Sequence, residues 1–377
     1  MSKILILCNT DLSGDPRPNK MASFLVNMAD VTVIAKNRPN IEKTRYIIID
    51  LVRKRSFIEK VGAALDLKLY HFERFLWTKH VKKAKEVLQS KSFNLIVVYG
   101  LELLPLAHAV KGNASILFDA REYYPRQRED QFLWRFFYQD FTKYICSKYM
   151  NRCDRIITVC EGLSAEYEKE FRVQSEVIMS LPYDHDCSPS KINQDKIKLI
   201  HHGCAAPSRK LEKMIEMMDF VNSNYTLDLM LVPSSARYLE QLKKKVINRD
   251  NVNIIEPVLF EEIIPFTNKY DIGVFLLPPN TFNHKFVLPN KLFEFIQARL
   301  AVAIGPSPEM AGIVEKWDCG IVSNDFEPKS LADKLNSIDI SRIIYFKNRS
   351  DLASATLNHK NNEKKVRKII LELLNET

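Results

Sequence analysis

A chain of 377 residues, 46% of them hydrophobic and 27% charged, is ordinary for a globular protein and too long for one comfortable core. Two domains are expected, and the composition is that of a globular chain, not a disordered or fibrous one. The net charge of +9 suits anionic partners such as nucleotide phosphates, anionic lipid or nucleic acid, although a solvated basic surface explains it as well.

In chain order, residues 3–8 read as a buried strand. The apolar run Ile4-Leu5-Ile6-Leu7-Cys8 is strand-sized and meets Asn9, Thr10 and Asp11, so it does not read as a signal peptide. A helix over 16–28 and strands over 31–35 and 45–50 follow, then a long basic, aromatic helical stretch over 57–89. Strand 95–99, helix 101–110, strand 115–119, helix 131–152, strand 155–159, helix 163–171 and strand 176–179 complete a first half. The polar segment 183–193, with Asp184, Asp186, Ser188, Pro189 and Ser190, reads as a linker.

The alternation then restarts. Strands are expected at 197–201, 226–231, 252–255, 271–276, 301–304 and 320–322. Helices are expected at 210–221, 236–248, 260–268, 289–298, 309–315, 328–337, 341–349 and 363–374, with a loop from 277 through His284. Short apolar strands alternating with helices imply parallel sheets covered on both faces, hence two Rossmann-like halves. No apolar run approaches the ~18 residues that span a bilayer. The seven cysteines form no CxxC pair and read as reduced, buried thiols of a cytosolic protein, with a metal site or disulfides as the alternative. Glycine is scarce, ten in all, so Gly14, Gly203 and Gly305 after expected strands mark candidate ligand turns.

Two places carry charge where an anion would use it. His201-His202-Gly203 ends a strand, and Pro207-Ser208-Arg209-Lys210 leads into a helix; such a turn can cradle an anion, or be a plain turn with surface cations. Further on, Leu288-Pro289-Asn290-Lys291-Leu292-Phe293-Glu294-Phe295 opens a helix. Lys291 at a helix start stands against the dipole preference, which hints at an anion. Glu294, one turn on, faces the same side. An intrahelical Lys291–Glu294 ion pair is the rival reading.

With these residues in view, the chain resembles family-four glycosyltransferases with the GT-B fold. Asp271-Ile272-Gly273, Leu288–Phe295 and Ala301-Val302-Ala303-Ile304-Gly305 resemble the family's donor-site region. Asp15-Pro16-Arg17 resembles its early acceptor-side loop. Phe118-Asp119-Ala120-Arg121-Glu122-Tyr123-Tyr124-Pro125 resembles its DAHEYYP segment, and Ile156-Ile157-Thr158-Val159-Cys160-Glu161-Gly162-Leu163 its ITVSEGL segment. His202-Gly203 with Pro207 and Arg209 resembles its phosphate-binding turn. The series runs in order through nearly the whole chain.

The resemblance implies an α/β GT-B architecture: two Rossmann-like domains, 1–183 for the acceptor and 194–355 for the donor, facing a central cleft, with a helix in 356–377 crossing back to the first. It implies a retaining transferase moving a sugar from a nucleotide-sugar donor to a glycan or lipid-linked acceptor, in bacterial surface-polysaccharide or lipopolysaccharide synthesis, with no metal or other cofactor. Gly203, Arg209, Lys210, Asn290, Lys291 and Glu294 would hold the donor, Arg209 and Lys291 meeting the diphosphate and Glu294 the ribose hydroxyls. Arg121, Glu122 and Asp15 would act at the reaction centre, with Gly14 and Arg17 on the acceptor side. Two positions depart from the family pattern. Phe286 stands where many members carry a glutamate, with Asn283 or His284 as substitute polar contacts, and Arg121 replaces the usual histidine. An Arg121–Glu122 surface ion pair is the alternative there.

A non-catalytic partner subunit and a nucleotide-sugar 2-epimerase are the rival functions. Nucleic acid is not expected as a partner, for no binding motif accompanies the basic residues. The aromatic, basic helix containing Trp134, Arg135, Phe136, Phe137 and Tyr138, with the lysines from Lys68 to Lys85, either touches an anionic membrane surface from the cytoplasm or packs a core-facing stripe.

Overall fold

The computed structural model describes residues 1–10, 12, 15–36, 41–48 and 56–375. The chain divides into two compact units, Met1–Met179 with Glu363–Thr377, and Ser180–Asn362.

The first unit runs β1 (Lys3–Cys8), α1 (Pro16–Leu25), β2 (Asp30–Ala35), β3 (Thr44–Ile48), α2 (Phe57–Lys68), α3 (Phe72–Leu76), α4 (Lys79–Gln89), β4 (Leu95–Tyr99), α5 (Leu104–Val110), β5 (Ser115–Ala120), α6 (Phe132–Tyr149), β6 (Arg155–Thr158), α7 (Glu161–Phe171) and β7 (Glu176–Val177). Its sheet order is β3-β2-β1-β4-β5-β6-β7, and every pairing is parallel. The central strands are apolar on both faces because helices cover both. The strand order reverses between β1 and β4, where an open α/β sheet leaves a crevice at its carboxyl edge.

The second unit runs β8 (Ile197–Ala205), α8 (Glu212–Met217), β9 (Tyr225–Pro233), α9 (Ala236–Val246), β10 (Val252–Ile255), α10 (Ile263–Thr267), β11 (Ile272–Phe275), α11 (Phe282–Lys285), α12 (Asn290–Gln297), β12 (Ala301–Ile304), α13 (Pro308–Trp317), β13 (Gly320–Val322), α14 (Pro328–Asn336) and α15 (Ile340–Ser354). Its sheet is β10-β9-β8-β11-β12-β13, again parallel, with the reversal between β8 and β11. The last helix, α16 (His359–Asn375), carries Val366, Ile369, Ile370 and Leu373 into the core of the first unit beside Ile4, Leu95 and Val97. Ser115 Oγ donates to the Leu373 carbonyl there.

Three expectations change. The stretch 57–89 is three helices, because Tyr70 turns left-handed at φ 57° and Thr78 caps α4 by accepting from the Val81 N–H. Gly203 lies within β8 instead of in a turn after it: β9 runs on to Pro233 and holds β8 in register as far as Ala205. The stretch before α12 contains the short helix α11, capped by Thr281, instead of an unbroken loop.

Candidate functional site

In the second unit, β8 and α12 converge at the β8–β11 reversal. Lys291, in the first turn of α12, is only 6% exposed. Its Nζ donates to His201 Nε2 at 3.2 Å and lies 4.2 Å from the centroid of the Phe275 ring. His201 Nδ1 sits 2.9 Å from the Val274 carbonyl, so Nδ1 carries the hydrogen and Nε2 is the acceptor that Lys291 needs. Burial, then the Lys291 charge, holds the His201 ring neutral.

Gly203 brings a second cation to the same place. A Cβ on Gly203 would stand 3.2 Å from Lys291 Nζ and 3.4 Å from Arg209 Nη1, so the two cations face one bare Cα. Gly203 also takes φ +128°, a conformation that side chains resist. Arg209 ends a short 3₁₀ turn and donates weakly to the Cys204 carbonyl at 3.4 Å. Burial foremost, and then Arg209, pulls the Lys291 ammonium well below the usual lysine range, while Glu294 opposes this. Crowded like charges in a buried place ask for an anion.

Glu294 is 5% exposed, and its Oε2 lies 3.4 Å from His202 Nε2 without the alignment of a hydrogen bond. Lys291 and Glu294 thus each face a histidine of β8, and the simple intrahelical pair is not the arrangement found. Burial, then Lys291, lowers the His202 pKa to about 3. A depressed histidine contributes stability that is whole above the unfolded pKa of ~6.5 and is lost as pH falls toward the folded value. Urea midpoints are therefore expected to drop between pH 6.5 and 4. His202→Asn should flatten that slope by up to ~1.4 kcal/mol per pH unit, one proton's share. An unchanged slope in the variant would refute the buried neutral ring.

The remaining donor-side candidates are more peripheral. Asn290 opens α12 and is half-buried; Lys210 is exposed, in the left-handed region at φ 51°. Asn283 and His284 lie on α11, half-buried, where the His284 N–H donates to Thr281. Phe286 packs its ring against Phe282 at 4.7 Å, so the position is filled by an aromatic pair.

In the first unit the structure joins Asp15, Arg17 and Arg121. Arg121 Nη1 donates to both Asp15 oxygens at 2.7 Å, and Thr10 Oγ1 donates to Oδ2 at 2.9 Å. Arg17 donates through Nε to Asp119 Oδ2 at 2.6 Å and through Nη1 to the Ile178 carbonyl. Glu122 does not join them: it is exposed and accepts from Gln127 Nε2 at 2.6 Å. The Arg121–Glu122 pair is therefore replaced by Arg121–Asp15. Gly14 lies outside the described residues. Asp119, wholly buried at the end of β5, and Tyr99, at the end of β4, complete this polar cluster; sequence reading did not single them out as site residues. Asp119 Oδ1, Arg17 Nη2 and the Tyr99 hydroxyl are buried without a hydrogen-bond partner. The signal for them is positional: Tyr99 closes β4, which flanks the reversal, and Asp119 lies near the end of its neighbour β5.

No protein-family model and no curated protein sequence matches the chain. Solved structures do. Sucrose-phosphate synthase from Thermosynechococcus elongatus matches with a TM-score of 0.75 at 12% identity, covering 100% of both chains. HepE from Anabaena, solved with UDP-glucose, matches at 0.72 and 10% identity over 99% of this chain and 100% of that one. WaaG, a glycosyltransferase involved in lipopolysaccharide biosynthesis, matches at 0.68 and 12% identity over 97% and 99%. The likeness is one of fold: the chain is a two-unit α/β protein of GT-B architecture.

Proposed function

We propose that this protein is a retaining glycosyltransferase that moves a sugar from a nucleotide-sugar donor to a hydroxyl of a glycan or lipid-linked acceptor. The observation that carries the reading is the pair Lys291 Nζ and Arg209 Nη1 converging on the bare Cα of Gly203. Two cations there match a diphosphate, and Glu294 beside them is a carboxylate able to accept from ribose hydroxyls. The fold shared with HepE and WaaG supports the same reading.

Chemically, the bond from the anomeric carbon to the diphosphate oxygen breaks with both electrons leaving on that oxygen. The acceptor hydroxyl forms the new bond on the same face, and its proton passes to the departing diphosphate. Negative charge grows on the leaving group, and Lys291 and Arg209 offset it without reorganising. In this reading protein cations supply that compensation and neither a metal nor another cofactor is required. The acceptor belongs with the first unit, where Asp15, Arg17 and Arg121 lie. The setting we propose is cytoplasmic synthesis of a bacterial surface polysaccharide or lipopolysaccharide.

Calorimetry with UDP, GDP, CDP and their sugars tests the site. One nucleotide class is expected to bind, and Glu294→Ala and Arg209→Ala each to weaken it at least ~tenfold, the loss of one charged hydrogen bond. Unchanged affinity in both variants sinks the assignment. The aromatic pair at Phe286 favours one other reading, a non-catalytic partner subunit; it predicts no release of sugar from any donor in a panel hydrolysis assay.

A further inference from the structure

The helix α2 has an apolar face that the first unit leaves bare. Phe57, Ile58, Val61 and Leu65 are 81%, 82%, 48% and 57% exposed, while Leu67 is the one side chain of α2 that is fully buried. At 100° per residue these four positions fall within ~100° of arc, one continuous stripe. Leu69 and Tyr70 carry the stripe past the helix end. The first turns of α6 extend it: Phe132, Leu133 and Phe136 are exposed, and Phe132 stacks on Phe136 at 5.9 Å. Lys68 Nζ sits 3.2 Å from the Phe136 ring centroid and ties the two parts together.

Neighbouring aromatic residues behave otherwise. Phe72 and Phe75 of α3 close edge-on over Phe141 of α6, at 5.7 and 4.8 Å, so α3 spends its apolar side inside the unit. Of the aromatic residues of α6, Phe141 thus faces the core, whereas Phe132 and Phe136 do not. Monomeric proteins seldom leave so much contiguous apolar surface in water without a partner.

The charges around the stripe say which partner. Lys60 lies beside it on α2 and Lys68 sits on the Phe136 ring, while Asp140 accepts from Tyr70 at its far end. The acids of α2 are engaged elsewhere: Glu59 closes the capping box with Ser56, and Asp66 faces Arg74 at 3.5 Å. An apolar stripe edged with cations fits the boundary between headgroups and acyl chains, where aromatic and aliphatic side chains sink and lysines reach back to phosphates. Among the described residues no helix is long and apolar enough to cross a membrane, so the contact is a surface one.

We propose that α2 and the start of α6 form a docking face for an anionic bilayer, with Phe57, Ile58, Val61, Leu65, Phe132 and Phe136 inserted at the lipid boundary. The proposal is independent of the catalytic reading. The test is flotation of the full chain with phosphatidylcholine vesicles, alone and mixed equally with phosphatidylglycerol. The expected result is binding to the mixed vesicles, weakened by high salt and cut at least ~tenfold by F57S/I58S, since each large apolar group withdrawn removes well over 1.4 kcal/mol of transfer energy. F132S/F136S is expected to act in the same direction. These side chains are exposed, so circular dichroism and the thermal midpoint should match wild type. No flotation with anionic vesicles, flotation indifferent to both variants, or a dimer in sedimentation that F57S/I58S dissolves would each overturn it.

Discussion

Lys291→Met is expected to cost at least ~100-fold in nucleotide affinity while leaving the unliganded protein as stable as wild type, or more so. Two opposing effects of one charge produce this result. In the free protein Lys291 is buried, faces a neutral imidazole, and shares the Gly203 Cα with Arg209. Burial and a like charge both penalise the ammonium, which is why its pKa lies well below the ordinary range. Methionine keeps the length of the side chain and discards that penalty, which offsets the loss of a donor to the buried His201 Nε2. In the proposed complex with a diphosphate, the same ammonium would gain charge-assisted hydrogen bonds in a low-dielectric place, each worth ~1.5–3 kcal/mol, and the anion would relieve its repulsion with Arg209.

The same linkage gives a second readout. A diphosphate raises the Lys291 pKa, so binding takes up protons wherever pH lies between the free and bound values. Binding enthalpy should then depend on the ionisation heat of the buffer, and affinity should fall as pH rises through that window. Both signatures should vanish in Lys291→Met. A variant that loses several degrees of thermal midpoint and keeps its nucleotide affinity would make Lys291 a structural residue.

The second large effect is on stability. Lys347 of α15 is 1% exposed, and its Nζ reaches Ser190 Oγ at 2.9 Å, the Tyr270 carbonyl at 3.0 Å and Asp271 Oδ1 at 3.5 Å. Asp271 Oδ2 accepts from the Lys198 N–H at 2.8 Å. One buried ammonium thus ties α15 to the starts of β8 and β11 and to the segment that opens the second unit. Burial lowers the Lys347 pKa and raises that of Asp271, each resisted by the other's charge. Removing one partner strands the other: Lys347→Met is expected to cost ~3–5 kcal/mol. Adding Asp271→Asn removes the stranded charge and keeps an acceptor for Lys198, so the double variant should recover most of the loss. Urea denaturation of the single and double variants measures this. A double variant no better than Lys347→Met alone would show that the pair's charges do not matter.

Much of the fold was legible in the sequence, and for a local reason. Runs such as Leu95–Tyr99 and Ala301–Ile304 are short and wholly apolar, which only a strand buried on both faces requires. Their alternation with helices therefore announced two parallel sheets. Left-handed residues were harder. Nothing in its residue type marks Tyr70 as a break, because packing of Phe72 and Phe75 onto α6 imposes that turn.

The candidate site divides along the same line. Residue order alone placed Lys291 and Glu294 on one side of a helix start and Arg209 after a strand with a glycine near its end. It left their partners open, since an i,i+3 ion pair satisfied Lys291 and Glu294 equally well. Tertiary structure decided the matter by laying β8 beside α12, giving His201 to Lys291 and His202 to Glu294, and by pairing Arg121 with Asp15 across 106 residues. It alone decided that Phe72 and Phe75 of α3 would close over Phe141 of α6. The physical reason is that strand neighbours and helix faces are set by long-range packing, whereas periodicity and propensity describe only the residues within one element.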